Sequence, residues 1–265
     1  MWTWGQALAW GISELGPDNK VDVLRLLTDN TNYNLLAVYD LAEQPYINYQ
    51  SFQEAVQRCL QGEPVAYITN RQDFWEYSFY VDQRVLIPRQ DSELMVDTML
   101  KLKPNSVLEL GVGSGAIIIS YLLSAKTSQG FASDISHPAL EVAKINSENL
   151  NCCLEFRQGS WLQPWQDMKF DMIIANPPYI ASNDAALNDL RFEPQNALVA
   201  NNNGLSDLQK IIEQAPLYLN SCGWLLLEHG FDQAHAVRSM LNNWRLSYSL
   251  KDINGKDRLT LAQAH

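Results

Sequence analysis

The chain has 265 residues, 46% of them hydrophobic and 18% charged, a globular composition long enough for one large core and a smaller domain. Its formal net charge of −11 argues against broad electrostatic attraction to nucleic acid, which needs a basic face. No apolar run reaches the roughly 18 residues of a membrane span, and the opening run MWTWGQALAWGISELG lacks the basic start and small-residue cleavage site of a secretory leader, so the expectation is a cytoplasmic protein that meets no membrane.

From about residue 3 to 68 the apolar positions have helical period. Phe52, Ala55, Val56, Cys59 and Leu60 follow i, i+3, i+4, i+7, i+8, and Val23, Leu26 and Leu27 repeat the theme, with breakers at Gly16-Pro17, Pro45 and Gly62-Glu63-Pro64. This predicts a small helical domain over residues 1–72. Asp73 to Ile87 then alternates aromatic or β-branched residues with polar ones around Asp82-Gln83, which predicts a β-hairpin linker over 73–88.

Over 89–265 short apolar strands alternate with helical segments. Strands are expected at Val107 to Leu110, Gly130 to Ser133, Cys153 to Arg157, Met172 to Ala175 and Trp224 to Glu228. Helices are expected at Ala116 to Leu123, Pro138 to Asn149, Leu205 to Leu219 and Gln233 to Asn243. That is an α/β fold with a mainly parallel sheet. Leu246 to Lys251 and Arg258 to Ala262, joined through Asn254-Gly255, form a terminal hairpin, so one strand should run antiparallel to the rest. Asn201 to Asn203 reads as loop. Cys59, Cys152, Cys153 and Cys222 show neither C-x-x-C spacing nor a histidine at zinc-site spacing, so no metal and no disulfide framework is expected, only buried thiols.

Two stretches carry chemistry. VLELGVGSGAIIIS places Glu109, Gly111, Gly113 and Gly115 at the exit of the first strand of the alternating region, where glycines let the backbone approach a ligand and turn into a helix with exposed N–H groups. Asp134 ends the next strand at the spacing where dinucleotide folds keep an acid for ribose hydroxyls. A glycine turn can also be mere packing, and a strand-end aspartate can cap the following helix. Together they suggest an adenosine site, and G-x-G-x-G is not the G-x-G-x-x-G of a nicotinamide or flavin site.

The second stretch is FDMIIANPPYIAS. Pro177 and Pro178 donate no N–H and fix φ near −65°, which stiffens the loop and leaves its carbonyls free, while the Asn176 side-chain oxygen adds an acceptor. Two such acceptors could hold the two hydrogens of one planar NH₂ group, with Tyr179 stacked on its plane. The alternative is ordinary loop punctuation.

With the quoted segments GEPVAYIT, FWEYSFYVDQRVLIPR, LELGVGSGAI, ASDISHPALEVAKIN, IIANPPYI, RFEPQNALVANNNGL and DINGKDR, the chain resembles the peptide chain release factor N5-glutamine methyltransferases over about residues 60 to 260. The resemblance implies a Rossmann-like S-adenosylmethionine-dependent methyltransferase sheet behind a helical substrate-recognition domain. It assigns Gly111, Val112, Gly113, Ser114, Gly115, Asp134, Trp161 and Asn176 to the cofactor. It assigns Asn176, Pro177, Pro178 and Tyr179 to the substrate amide, with Asn176 and Tyr179 in the catalytic role. Release factors would be the protein partners of a monomer that binds no nucleic acid directly. Arg89 and Glu93 lie in a matching segment without an assigned role. The chain departs from the family at Asn70 (usually Gly), at Val112 (usually Thr), at Asn201 to Asn203 (usually Gly-rich) and in RQDSE, which lacks the usual Pro and Thr. A methyltransferase for a ribosomal-protein glutamine or a DNA adenine stays open, as does a non-catalytic adaptor for translation factors. His137, His229, His235 and His265 are expected to be structural or surface residues.

Overall fold

The computed structural model describes residues 2–126 and 128–265, with the backbone alone of Asn203. The chain divides into two compact units, Met1–Arg71 and Gln72–His265.

In the first unit α1 (Trp4–Leu15) starts with a capping box. The Gln6 N–H donates to Thr3 Oγ1 at 3.2 Å and the Thr3 N–H donates to Gln6 Oε1 at 3.0 Å, which satisfies two donors that a helix start leaves open. Helices α2 (Lys20–Thr28), α3 (Ala37–Asp40), α4 (Tyr49–Leu60) and α5 (Val65–Ile68) follow. The helical period becomes one buried stripe: Val23, Leu26 and Leu27 of α2 join Phe52 and Val56 of α4 in one apolar cluster. Gly11 lets α1 come close, because a Cβ there would lie 2.6 Å from Val23 and 2.8 Å from Phe52. Asn70 sits at φ 50°, left-handed backbone that asparagine tolerates better than most residues.

The hairpin of β1 (Arg71–Phe74) and β2 (Tyr77–Tyr80) opens the second unit, apart from Arg71, which ends the first. Its turn is at Trp75 and Glu76, not at Asp82-Gln83. The Glu93 carboxylate accepts the Trp75 N–H at 2.9 Å and holds that turn, whereas Asp82 forms its own turn by accepting the Arg84 N–H at 3.0 Å. Next come α6 (Glu93–Leu102), β3 (Ser106–Leu110), α7 (Ala116–Ala125), β4 (Gln129–Asp134), α8 (His137–Asn149), β5 (Glu155–Gln158) and β6 (Phe170–Ala175). These are followed by α9 (Asn201–Gly204), α10 (Ser206–Gln214), β7 (Leu219–Glu228), α11 (Ala234–Met240), β8 (Leu246–Lys251) and β9 (Asp257–Gln263). The loop expected at Asn201 to Asn203 is thus a helical turn. The helix expected to reach Leu219 stops at Gln214, because Pro216 cannot continue the i to i−4 ladder, and β7 begins at once.

Among the described residues the main sheet has seven strands in the order β5-β4-β3-β6-β7-β9-β8. Strands β3 to β7 pair in parallel, and β9 runs antiparallel to both β7 and β8, as the terminal hairpin requires. Side chains alternate between two cores. Val107, Met172, Ile174 and Leu226 face the side that buries α7 and residues of α6, whereas Leu108, Leu110, Ile173, Leu225 and Leu227 face the side that buries α10. Of the four cysteines, all free thiols, Cys152 is buried but Cys153 and Cys222 are exposed, the first in the loop ahead of β5 and the second at a left-handed position (φ 60°) inside β7. Among the described residues no helix is long and apolar enough to cross a membrane.

Candidate active site

The register of the sheet sets four residues in one row. Leu110 of β3 pairs with Ser133 of β4 and with Ala175 of β6, and Ala175 pairs with Leu227 of β7. The next residue on each strand is therefore Asp134, Gly111, Asn176 or Glu228, at the carboxyl ends of four parallel neighbours about 4.8 Å apart. Strand order reverses between β3 and β6, the switch point at which open α/β sheets bind ligands.

Beyond β3 the backbone is left-handed at Gly111 (φ 68°), Gly113 (φ 53°) and Gly115 (φ 81°). At Gly113 a Cβ would find no atom within 4 Å, so the turn leaves open space there. Gly115 differs: its Cβ would come within 2.8 Å of Ile119 Cδ1, and it starts α7 without lining the cleft. The Gly113 N–H donates to Asp134 Oδ2 at 3.0 Å, and the Ser136 N–H donates to Asp134 Oδ1 at 2.8 Å. One side chain thus both organises the turn and lines the cleft. Burial pushes the Asp134 carboxyl up, and these backbone N–H groups pull it back. Beside it Glu109 is buried, accepts the Ile118 N–H at 3.1 Å, and is pushed by burial up to about 8.

Over Asp134, Gly111 and Asn176 of this row lies a cleft of about 400 Å³, lined also by Glu109, Val112, Gly113, Ser114, Trp161 and Pro178 among others. The Trp161 ring covers the glycine turn, since a Cβ on Gly111 would stand 3.4 Å from it, and Ser133 Oγ donates to the Trp161 carbonyl at 3.1 Å. Asn176 also lines a second cavity of about 110 Å³, which it shares with Arg89, Tyr179 and Glu228. Tyr179 opens onto this smaller cavity only, Pro178 onto the larger only, and the buried Pro177 onto neither. The chain turns away after Pro178 because Gln233 Nε2 donates to the Tyr179 carbonyl at 3.2 Å and the Ile180 N–H donates to the Leu198 carbonyl at 2.9 Å. Among the described residues no hydrogen bond reaches Asn176 Oδ1 or the Pro177 carbonyl, so two acceptors are free at this strand end. Burial pushes the Tyr179 hydroxyl up to about 12, which keeps the phenol neutral.

Several residues at the site escaped sequence reasoning. Asn176 Nδ2 donates to Ser92 Oγ at 3.3 Å, and Ser92 Oγ donates to Glu228 Oε2 at 2.6 Å. Arg258 of β9 pairs with Asp91 at 3.0 Å beside them. Glu193 is buried, accepts the Ile87 N–H at 3.1 Å and pairs with Arg89. Glu228 alone had a readable signal, an acid closing an apolar strand in the manner of Asp134. His229 is a buried structural residue: Nδ1 lies 2.8 Å from the Gly230 carbonyl, Nε2 lies 2.8 Å from Thr260 Oγ1, and burial holds its pKa down. Among the described residues no His, Cys, Asp and Glu side chains cluster in a way that could hold a metal ion.

A mainly parallel sheet with a glycine turn and an acid at adjoining strand ends is a Rossmann-like arrangement, one that methyltransferases share with other nucleotide-binding folds. Residues 89–204 match the model of the methyltransferase small domain family. In the solved structures a methyltransferase from Pyrococcus furiosus shares the fold, with a TM-score of 0.56 at 16% identity over 80% of this chain and 98% of that one. Within the class the relatives are specific. The chain is 40% identical to the release factor glutamine methyltransferase of Neisseria gonorrhoeae over 96% of its own length and 95% of that protein. It is 42% identical to the protein of the same name from Aliivibrio fischeri over 80% of this chain and 78% of that one. The chain belongs to the release factor glutamine methyltransferase family.

Proposed function

We propose that the protein transfers a methyl group from S-adenosylmethionine to the side-chain amide nitrogen (N5) of a glutamine in peptide chain release factors. One observation carries the reading: Asn176 stands in the same row as Gly111 and Asp134 and is shared by the larger cleft and the smaller cavity. The larger cleft fits the methyl donor. Its volume is in the range of small-ligand sites, its floor at Gly113 is open, and it offers a carboxylate for hydroxyls at Asp134 and an aromatic face at Trp161. When bound there, S-adenosylmethionine supplies a methyl group activated by a sulfonium. Gly111, Val112, Gly113, Ser114, Asp134 and Trp161 would hold it, and Gly115 would set the turn.

The rest of the chemistry falls to the strand end at Asn176. A neutral amide is a poor nucleophile because its lone pair is delocalised into its carbonyl, so orientation must carry much of the rate. Oδ1 of Asn176, a residue that lines both cavities, accepts one hydrogen of the glutamine NH₂ group. The carbonyl of Pro177, which lines neither, accepts the other once substrate entry uncovers it, and Tyr179 and Pro178 flank the amide plane. Holding the nitrogen so that its lone pair faces the methyl group can be worth up to about 7 to 11 kcal/mol in favourable cases. The same two acceptors stabilise the positive charge that develops on nitrogen. No strong base is required beforehand, since the nitrogen's proton becomes acidic only after transfer. The neutral phenol of Tyr179 suits a packing role rather than a basic one.

The helical unit is proposed to recognise the release factor, and its exposed Leu36 and Ile47 offer apolar surface for that purpose. The enzyme is read as a cytoplasmic monomer that touches no nucleic acid directly, in keeping with its net charge of −11. Labelled S-adenosylmethionine, unmethylated release factor and site mapping by mass spectrometry test the reading. One modified glutamine is expected, and labelling of DNA or of another protein instead would overturn the substrate.

A further inference from the structure

A hydrogen-bonded chain leads from Asn176 into the core of the second unit. Its three members come from separate places: Asn176 from the loop after β6, Ser92 from the turn before α6, and Glu228 from the end of β7. Ser92 is 4% exposed and Glu228 2%, so each group relies chiefly on protein partners for its hydrogen bonds. An ionised carboxylate has no hydrogen to give, so the Ser92 hydroxyl hydrogen points to Glu228 and its lone pairs point to Asn176. Those lone pairs accept only the NH₂ end of the amide, as does the Glu228 carboxylate, which is itself in hydrogen-bond contact with the Asn176 side chain, and this leaves Oδ1 as the free end. Were the amide turned over, its NH₂ would meet the NH₂ of a substrate glutamine, donor against donor, and the clamp would repel what it has to hold.

We propose that Glu228, acting through Ser92, is a positioning residue that sets the Asn176 amide with its oxygen free for the substrate, and so makes the site demand an amide. The proposal rests on the reading that Asn176 holds the substrate glutamine. The charged and titratable groups around Glu228 are Arg258 on β9, Asp91 before α6, Tyr179 after β6, and Arg89, which lines the same cavity. Against them burial wins and pushes the Glu228 carboxyl up to about 7. Once protonated, Glu228 can donate to Ser92, the serine hydrogen is released toward Asn176, and the amide is free to turn over. Methyl transfer therefore declines as pH falls through this range.

The experiment compares wild type with Glu228→Gln, Ser92→Ala and Ser92→Thr, using the full chain, S-adenosylmethionine and release factor. Glu228→Gln and Ser92→Ala should bind S-adenosylmethionine within about twofold of wild type by calorimetry and keep KM for the release factor. Their kcat should drop by about tenfold to a hundredfold, the scale of a misplaced reacting group. The acid limb of the kcat profile should vanish in Glu228→Gln, and Ser92→Thr, which keeps the hydroxyl, should recover most of the rate. Independently of turnover, NMR should show the Asn176 Nδ2 hydrogens exchanging with water faster in Ser92→Ala than in wild type. Near-wild-type kcat in both Glu228→Gln and Ser92→Ala, or unaltered exchange at Asn176, overturns the proposal. If Glu228→Gln does not fold, the two Ser92 variants decide alone. If the wild type leaves release factor unmethylated, the functional reading fails instead, and the exchange measurement still judges the hydrogen-bonded chain.

Discussion

The two strand ends that meet at the switch point are built on opposite principles. After β3 the chain offers a left-handed glycine turn tied down by the Asp134 carboxylate. Because the N–H groups of Gly111, Val112, Gly113 and Gly115 are spent within the protein, the donors left for a ligand are those at Ser114 and the start of α7. After β6 it offers acceptors: Asn176 Oδ1 and the Pro177 carbonyl, which no hydrogen bond reaches among the described residues. The contrast teaches that one sheet edge can serve two ligands of opposite demand. A polar adenosine-containing molecule needs backbone donors and a carboxylate, and an amide nitrogen needs acceptors that fix both of its hydrogens. If this division holds, damage to one end should leave the other intact.

The largest effect is expected at the acceptor end. Asn176→Ala should lower kcat by about a hundredfold to a thousandfold, the cost of losing one aimed polar group in an active site. Calorimetry should find S-adenosylmethionine affinity nearly kept; near-normal turnover in that variant would end the proposed role. At the donor end Asp134→Ala removes two charge-assisted contacts to backbone N–H groups, each worth about 1.5 to 3 kcal/mol. The cofactor dissociation constant should rise by about tenfold to a hundredfold, with kcat at saturation changed much less. If kcat collapses while affinity is kept, the division between the ends is wrong. Trp161→Ala should weaken cofactor binding by about tenfold, in line with the loss of one aromatic stacking face worth about 1 to 3 kcal/mol.

The smallest effect concerns stability, and it too separates the ends. Burial pushes Glu109 from 4.5 up to about 8 and Glu228 from 4.5 up to about 7. A carboxyl raised in the folded state holds its proton more tightly there than in the unfolded chain. That contribution is fully present below the unfolded value and is lost as pH rises through the folded one. The urea midpoint should therefore fall between about pH 5 and about pH 9. Glu109→Gln, which keeps an oxygen for the Ile118 N–H, should flatten that fall over its whole range up to about pH 8, and Glu228→Gln only up to about pH 7. An unchanged slope in both variants would show that neither carboxyl gains its proton on folding.

Much of this was legible in the residues. The alternation of apolar strands with helical segments, the G-x-G-x-G turn, Asp134 at a strand end and the Asn-Pro-Pro-Tyr loop are local patterns, and each sits where its spacing put it. Other parts failed because their partners lie far along the chain, which a local period cannot show. The hairpin turn moved to Trp75 because Glu93, eighteen residues on, accepts its N–H. Tyr179 left the larger cleft because bonds from Gln233 and to Leu198 pull the chain aside. Ser92 and Glu193 carry no signature at all, since their meaning lies in partners 136 and 106 positions away along the chain.

By itself, then, the sequence determined which pieces exist: which segments alternate at period 2 or 3.6, where glycine permits a left-handed turn, and where proline withholds a donor. Those properties depend on neighbours within a few residues, so they can be read in order. Only the tertiary structure decided that β3 lies between β4 and β6, and β7 beyond β6. Strand adjacency is chosen by long-range burial of two cores on one sheet, not by any short pattern. That choice sets Asp134, Gly111, Asn176 and Glu228 in one row and turns four separate strand ends into a single site.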